Sequence, residues 1–123
     1  MANKKQAIKV RRGEVWLVKF DPTVGSEFRK TRPAIVLQND IANEHGSLVI
    51  VAALTSRGEG ELYPTEVLIA KGEAGLMQES LILLSQIRTV DKMRFQQCFG
   101  KVTLGTMARV DRAIELSLGL VSV

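Results

Sequence analysis

The distribution of apolar and polar positions along the chain predicts a series of short strands followed by a single helix. Residues 14–20 alternate between the two classes and carry β-branched and aromatic side chains, which is typical of a strand with one buried face. The continuous apolar run at 48–54 predicts a central strand buried on both faces. Further strands are predicted at 34–37, 64–69, 80–90 and 95–102.

Polar and rigid residues mark the connections between these strands. The sequence Asp-Pro-Thr at 21–23 ends the first strand, and the Gly- and Glu-rich segment 57–61 predicts a loop. Pro33 is expected at the first position of the second strand, because proline cannot donate a hydrogen bond to a sheet ladder. Residues 39–43 predict one helical turn.

The last segment changes to a helical period. Its apolar residues are spaced by three or four positions: Met107, Val110, Ile114, Leu118 and Val121. The polar residues Arg109, Asp111, Arg112 and Glu115 fall outside that stripe. Thr103 is a suitable N-cap and Gly119 a suitable C-cap. The segment is therefore predicted to form an amphipathic helix.

The order of these elements favours a mainly β fold. Short strands without an alternating helix rhythm are typical of a small antiparallel barrel, here with a C-terminal helix. No internal repeat or linker divides the chain, so residues 12–123 are predicted to form one domain, and the basic segment 1–11 a solvated tail.

Composition narrows the possible settings of the protein. The 123 residues are 46% apolar and 24% charged, as in ordinary soluble domains. A single cysteine, Cys98, allows no intrachain disulfide, and no stretch predicts a signal peptide or membrane helix. These features predict a cytoplasmic protein with no contact to membranes. The net charge of +4 favours an anionic partner.

The segment GSEFRKTRP at 25–33 is unusually rich in functional groups for a connection between two strands. It carries Arg29, Lys30 and Arg32 together with Ser26 and Glu27. On composition alone, a solvated loop is the simpler interpretation. The alternative is a set of groups that holds and cleaves an anionic substrate.

The chain offers little of the usual machinery of hydrolases. It has one histidine, His45, in a predicted surface loop, no zinc or iron ligand spacing, and no phosphate-binding glycine-rich loop. We therefore predict no metal and no cofactor. The remaining groups suit cleavage of RNA, whose own 2′-OH is the nucleophile, so that the protein needs to clamp the phosphate and to move protons.

The order of several motifs resembles the MazF/PemK family of bacterial toxin endoribonucleases. They are GEVWLV, DPTVGSE, KTRPAIVLQND, the strand reaching Leu54-Thr55-Ser56, and LLSQIRTVDK. The resemblance runs from about Arg12 to Leu120 and implies a compact SH3-like β-barrel with a C-terminal helix, assembled as a homodimer. It also implies metal-independent, sequence-specific cleavage of single-stranded mRNA to 2′,3′-cyclic phosphate and 5′-OH ends, and neutralisation by a cognate antitoxin protein.

The resemblance assigns roles to particular residues. Arg32 and Thr55 match the essential arginine and threonine of the family, and Glu27 matches a glutamate that some members use in catalysis. Positions that match RNA-contacting sites of relatives are Ser26 and Gln86, with Arg29 and Lys30 as electrostatic guides. For Gln86 the alternative is a hydrogen-bonded strand residue.

Two positions depart from the family pattern. Phe28 stands where much of the family has Gln, and it either stacks on an RNA base or folds back onto the barrel. Ser85 stands where one branch has an aspartate proposed as general base, so proton removal falls to Glu27, Thr55 or the phosphate. Two other functions stay open, a toxin of the same fold that poisons a protein such as gyrase and an RNA-binding module without cleavage.

Overall fold

The computed structural model describes residues 8–20 and 31–122. Six strands and two helices follow one another along the chain. They are β1 (Glu14–Lys19), β2 (Thr31–Val36), α1 (Asp40–His45), β3 (Leu48–Ser56), β4 (Glu66–Ile69), β5 (Ser80–Asp91), β6 (Phe95–Lys101) and α2 (Leu104–Ser117). Short 3₁₀ turns lie at Glu73–Gly75 and Lys92–Arg94. No helix within the described part of the chain is long and apolar enough to cross a membrane.

The strands form one antiparallel sheet in the order β4-β5-β3-β2-β1-β6. From β5 the chain passes directly through the turn Lys92–Arg94 into β6, although three strands separate β5 from β6 in the sheet. The sheet must therefore curl back on itself. This confirms the predicted mainly β barrel with a C-terminal helix.

Two apolar cores lie on the two faces of the curled sheet. The inner core is enclosed by β1, β2, β3 and the ends of β5 and β6, and in it Trp16 and Phe95 meet edge to face with ring centroids 5.5 Å apart. The outer core lies between the sheet and α2, where Met107, Val110 and Ala113 are buried. Burial of these two sets of side chains supplies most of the driving force for folding.

The ends of α2 follow the sequence prediction closely. The Thr103 hydroxyl accepts a hydrogen bond from the Thr106 amide at 3.1 Å, as an N-cap does. At the other end Leu118 is the C-cap and Gly119 follows with φ of +75°, so the predicted glycine lies one residue beyond the cap. Leu118 is 61% exposed, so the C-terminal end of the predicted apolar stripe is not packed against this chain.

Two details of the strands differ from the predictions. Pro33 was expected to begin β2 but lies at its third position, opposite Leu17 of β1. It is tolerated there because the ladder between β2 and β3 begins only at Ala34. The predicted burial of β3 on both faces was wrong at its start, where Leu48 and Ile50 are 53% and 38% exposed.

Arg12 joins three separated parts of the chain. Its amide donates to the carboxylate of Asp40 at 2.7 Å, its Nε donates to the Leu37 carbonyl at 2.7 Å, and its guanidinium pairs with Asp111 of α2 at 2.6 Å. The amide of Arg12 holds the pKa of Asp40 below its usual value. Of the segment predicted as a tail, residues 8–11 are described, and Val10 is buried in the inner core.

The 3₁₀ turn Glu73–Gly75 packs its backbone tightly against β6. Gly75 has φ of +73°, and a Cβ built on it would lie 2.4 Å from the carbonyl oxygen of Phe99. A Cβ on Gly100 would lie 2.9 Å from the carbonyl carbon of Ala74. The absence of a side chain at both Gly75 and Gly100 therefore allows the turn and the strand to approach more closely than side chains permit.

We expect Gly75→Ala to lower the free energy of unfolding by about 2–4 kcal/mol, because it adds both a strained φ and a clash with backbone. Gly72→Ala is the matched control: Gly72 also has a positive φ, +96°, but nothing lies within 4 Å of its Cβ position. The control should lose only about 1 kcal/mol. Urea unfolding with an unchanged slope measures both values. Equal losses in the two variants would contradict the close approach.

Candidate functional site

Arg32 and Thr55 lie on neighbouring strands at the same end of the barrel. Arg32 is the second residue of β2 and pairs with Val18 of β1. The ladder between β2 and β3 pairs Ala34 with Ala53. If the same register is extended by two residues on each strand, Arg32 lies opposite Thr55. Their side chains are then on the same face of the sheet.

A cleft of about 690 Å³ opens at this end of the barrel and includes both residues. Its lining comes from the ends of β2 and β3, from the segment before β5, and from the middle of β6. The lining residues are Arg32, Pro33, Leu54, Thr55, Ser56, Gly75, Leu76, Met77, Gln78, Ser80, Gln97, Cys98 and Phe99. The structure therefore brings Arg32 and Thr55 into one cleft, although they are 23 positions apart in the sequence.

The charge distribution in the cleft is simple. Among the described residues that line it, Arg32 is the only one with an ionised side chain at neutral pH. Apolar side chains such as Phe99 line the same cleft, and partly apolar walls strengthen the attraction of a cation for an anion relative to open water. A planar guanidinium donates two parallel hydrogen bonds to a phosphate, and the arrangement thus suits a phosphate group.

The strand end that carries Thr55 is held by its neighbours. Ser56 accepts a hydrogen bond from the side-chain amide of Gln78 at 3.1 Å, and the Ser80 hydroxyl donates to the Gln78 carbonyl at 3.0 Å. Thr55 itself pairs with Leu81 in the ladder between β3 and β5. Thr55 therefore lines the cleft from a strand end that its neighbours hold in place.

The opposite wall of the cleft is formed by β6. Cys98 lies between Gln97 and Phe99 and is exposed. Although Cys98 is exposed, partial desolvation of its thiol raises the pKa of the thiol, and the carboxylate of Glu14 raises it further. The thiol is therefore neutral and is not an activated nucleophile.

The sequence model of the PemK-like, MazF-like toxins of type II toxin–antitoxin systems matches residues 11–118. The chain belongs to this family. The matched range includes every described element of the barrel and all of α2.

Solved structures with the same fold are similar over nearly the whole chain. MazF from Deinococcus radiodurans is 26% identical with a TM-score of 0.76, over 91% of this chain and 98% of that one. An endoribonuclease from a mycobacterial species is 21% identical with a TM-score of 0.74, over 91% of this chain and 93% of that one. A mycobacterial endoribonuclease in complex with its cognate antitoxin is 23% identical with a TM-score of 0.73, over 92% and 98%.

Other residues that the PemK/MazF resemblance singles out lie elsewhere. Ser85 and Gln86 are exposed on β5 and do not line the cleft. They lie where the ladder to β3 is interrupted, between the pair Ala52–Ile87 and the pair Leu54–Ile82. Such a bulge turns side chains away from the regular alternation, which the sequence pattern of β5 does not reveal.

The segment with Ser26, Glu27, Phe28, Arg29 and Lys30 lies outside the described residues. The described strands on either side of residues 21–30 are paired, because Lys19 of β1 lies opposite Thr31 of β2. Next to this point the guanidinium carbon of Arg88 lies 4.9 Å from the centre of the Phe20 ring. The stacked pair joins β5 to the end of β1 across the barrel.

Sequence reasoning missed most of the cleft wall, namely Met77, Gln78, Gln97, Cys98 and Phe99. The only sequence signal for the contact between these two segments is the pair of glycines at 75 and 100. A single sequence does not show that the segments carrying these glycines lie against each other. His45, predicted in a surface loop, ends α1 instead and is exposed there. Within the described ranges, no three His, Cys, Asp or Glu side chains are placed to hold a metal ion.

Proposed function

We propose that this chain is a toxin endoribonuclease that cleaves single-stranded mRNA in the cytoplasm. The observation that carries the proposal is the placement of Arg32 and Thr55 in one cleft, with Arg32 as the only charge among its described lining residues. Membership of the toxin family and the endoribonucleases among the similar structures support it. A protein that only poisons a protein target needs neither residue in a cleft.

In the proposed reaction the RNA supplies the nucleophile. Its 2′-oxygen forms a bond to the adjacent phosphorus while the bond from phosphorus to the 5′-oxygen breaks, leaving a 2′,3′-cyclic phosphate and a 5′-OH. The proton of the 2′-OH is removed and one is delivered to the leaving oxygen. Arg32 stabilises the charge that develops on the pentavalent phosphate, and Thr55 orients a phosphate oxygen or the 2′-OH.

The proton transfers need groups other than Arg32. A guanidinium holds its protons too tightly to be a good proton donor at neutral pH, so the role of Arg32 is electrostatic. We assign proton removal to Glu27, which precedes Arg32 by five positions in the sequence. Ser26, Phe28, Arg29 and Lys30 of the same segment, with Ser85 and Gln86 of β5, are proposed to contact the RNA along its path to and from the cleft.

The proposed partners are a cognate antitoxin and a second copy of the chain. One similar endoribonuclease is in complex with its antitoxin, which supports the first. Exposed apolar side chains on β3 and at the end of α2 support the second: Leu48, Ile50, Leu118 and Leu120. Sedimentation at micromolar concentration should show a dimer, and a monomer would contradict this assembly.

Mapping the cleavage products of a long single-stranded RNA tests the function. We expect cleavage in excess EDTA, with fragments that end in 2′,3′-cyclic phosphate and 5′-OH. Cleavage that EDTA abolishes would contradict the metal-independent mechanism. Binding without cleavage at high protein concentration would favour an RNA-binding module, and neither binding nor cleavage would favour a toxin that acts on a protein.

A further inference from the structure

We propose that the part of the cleft beyond Arg32 is a pocket for one unpaired nucleobase of the RNA, next to the phosphate that is cleaved. Met77 and Phe99 are proposed to flank the base, and Gln97 to hydrogen-bond to its edge. The inference rests on the proposed function, because it takes the phosphate at Arg32 to belong to RNA. It adds a determinant of sequence specificity outside the residues that the family resemblance singles out.

The size and lining of the cleft exceed what a phosphate needs. At about 690 Å³ the cleft falls in the range of pockets that enclose a small organic molecule. Its walls beyond Arg32 combine polar side chains with apolar ones, among them Met77 and Phe99. A phosphate is bound by donors and gains nothing from such surface, whereas the flat face of a base does.

Met77 has no packing role that explains its place. Met77 is 85% exposed and lines the cleft together with residues of β6. A thioether is flexible and packs well against an aromatic ring. Phe99, half-buried on β6 where it packs against the outer core, also lines the cleft with its aromatic side chain. A base between them would be covered on both faces.

Gln97 offers the polar contact for recognition. Its side chain is exposed and lines the cleft. A primary amide places one donor beside one acceptor, and this pair matches the edges of nucleobases. The other amide of the cleft, Gln78, is engaged with Ser56 and holds the strand end. Because the described lining beyond Arg32 is uncharged, the pocket suits a neutral base.

The spacing between the two walls is fixed by the fold. Gly75 and Gly100 let the segment before Met77 lie directly against the backbone of Phe99 and its neighbour. The contact is backbone to backbone, so it does not depend on side-chain rotamers. Because the gap is rigid, little conformational entropy of the protein is lost when a flat ring binds in it. Such preorganisation favours selective recognition.

A pool of RNA with randomised sequence tests the pocket in two ways. The cleavage arm sequences the ends produced by the full chain and gives the base preference at each position around the cut. The binding arm uses a 2′-fluoro pool, which lacks the nucleophile, and sequences the bound fraction. Gln97→Ala and Met77→Ala are compared with Gln96→Ala and Met93→Ala, because Gln96 and Met93 are exposed and lie outside the cleft lining.

We expect Gln97→Ala to reduce the preference at one position beside the cut by about tenfold while other positions keep theirs. Met77→Ala should weaken binding of the RNA sequences that the wild-type protein enriches from the 2′-fluoro pool. Both controls should behave as the wild type. A uniform slowing with unchanged preferences, or equal effects in Gln96→Ala, would overturn the pocket. Base enrichment in the binding arm without any cleavage would support the pocket and refute the proposed chemistry, whereas no enrichment by the wild type would overturn the pocket.

Discussion

Arg32→Ala should reduce the rate of RNA cleavage by about a thousandfold. The substitution removes the only charge among the described lining residues of the cleft, and with it the donors that stabilise the pentavalent phosphate. Initial rates on a fluorogenic single-stranded RNA measure the loss. Urea unfolding of the variant should match that of the wild type within about 1 kcal/mol, since Arg32 lies at the end of its strand.

Arg32→Lys separates charge from geometry. Lysine keeps the positive charge but cannot make two parallel hydrogen bonds, so we expect a loss of about ten- to a hundredfold, between wild type and alanine. Arg109→Ala is the control for loss of an arginine outside the cleft. Arg109 lies on α2, away from the cleft, and donates to the Leu68 carbonyl. If Arg32→Ala and Arg109→Ala cut RNA at similar rates, Arg32 has no catalytic role.

Thr55→Val should lower cleavage by about a hundredfold with little change in stability. Valine has nearly the shape of threonine and the same preference for a strand, and only the hydroxyl is lost. Because Thr55 is half-buried at the rim of the cleft, its hydroxyl is replaced without leaving a cavity. Single-turnover rates at saturating RNA report the chemical step directly.

Thr55→Ser and Ser56→Ala are the controls for this position. Serine restores the hydroxyl and should recover the rate to within about fivefold, the remainder reflecting its freer rotation. Ser56→Ala removes a neighbouring hydroxyl that is bonded to Gln78 and should affect binding more than the chemical step. A Thr55→Val variant with a wild-type single-turnover rate would show that the hydroxyl takes no part in the chemistry.

The strands of the barrel were predictable because each carries its own signal. The alternation over β1, the apolar run of β3 and the helical spacing of α2 are local patterns, and all three elements lie where those patterns place them. Pro33 shows the limit of such reasoning. Its tolerance within β2 depends on where the ladder to β3 begins, which is a property of the neighbouring strand.

The candidate site was predictable only in part, for a related reason. Arg32 and Thr55 were identified from family motifs, and the structure brings them to one cleft. The wall opposite them depends on the contact between Gly75 and Phe99, which joins segments that no local pattern connects. The cationic residues of the sequence suggested a site for an anion, whereas most of the described residues that line the cleft are neutral.

The walls of the cleft come from early and late parts of the sequence, so the cleft is completed late in protein synthesis. Arg32 and Thr55 leave the ribosome early, but the opposite wall at Gln97–Phe99 is made only when most of the chain has been translated. Until β6 has been made and pairs with β1, the wall of the cleft that β6 supplies is missing. A chain still attached to its own messenger therefore carries an incomplete cleft for nearly the whole of its synthesis.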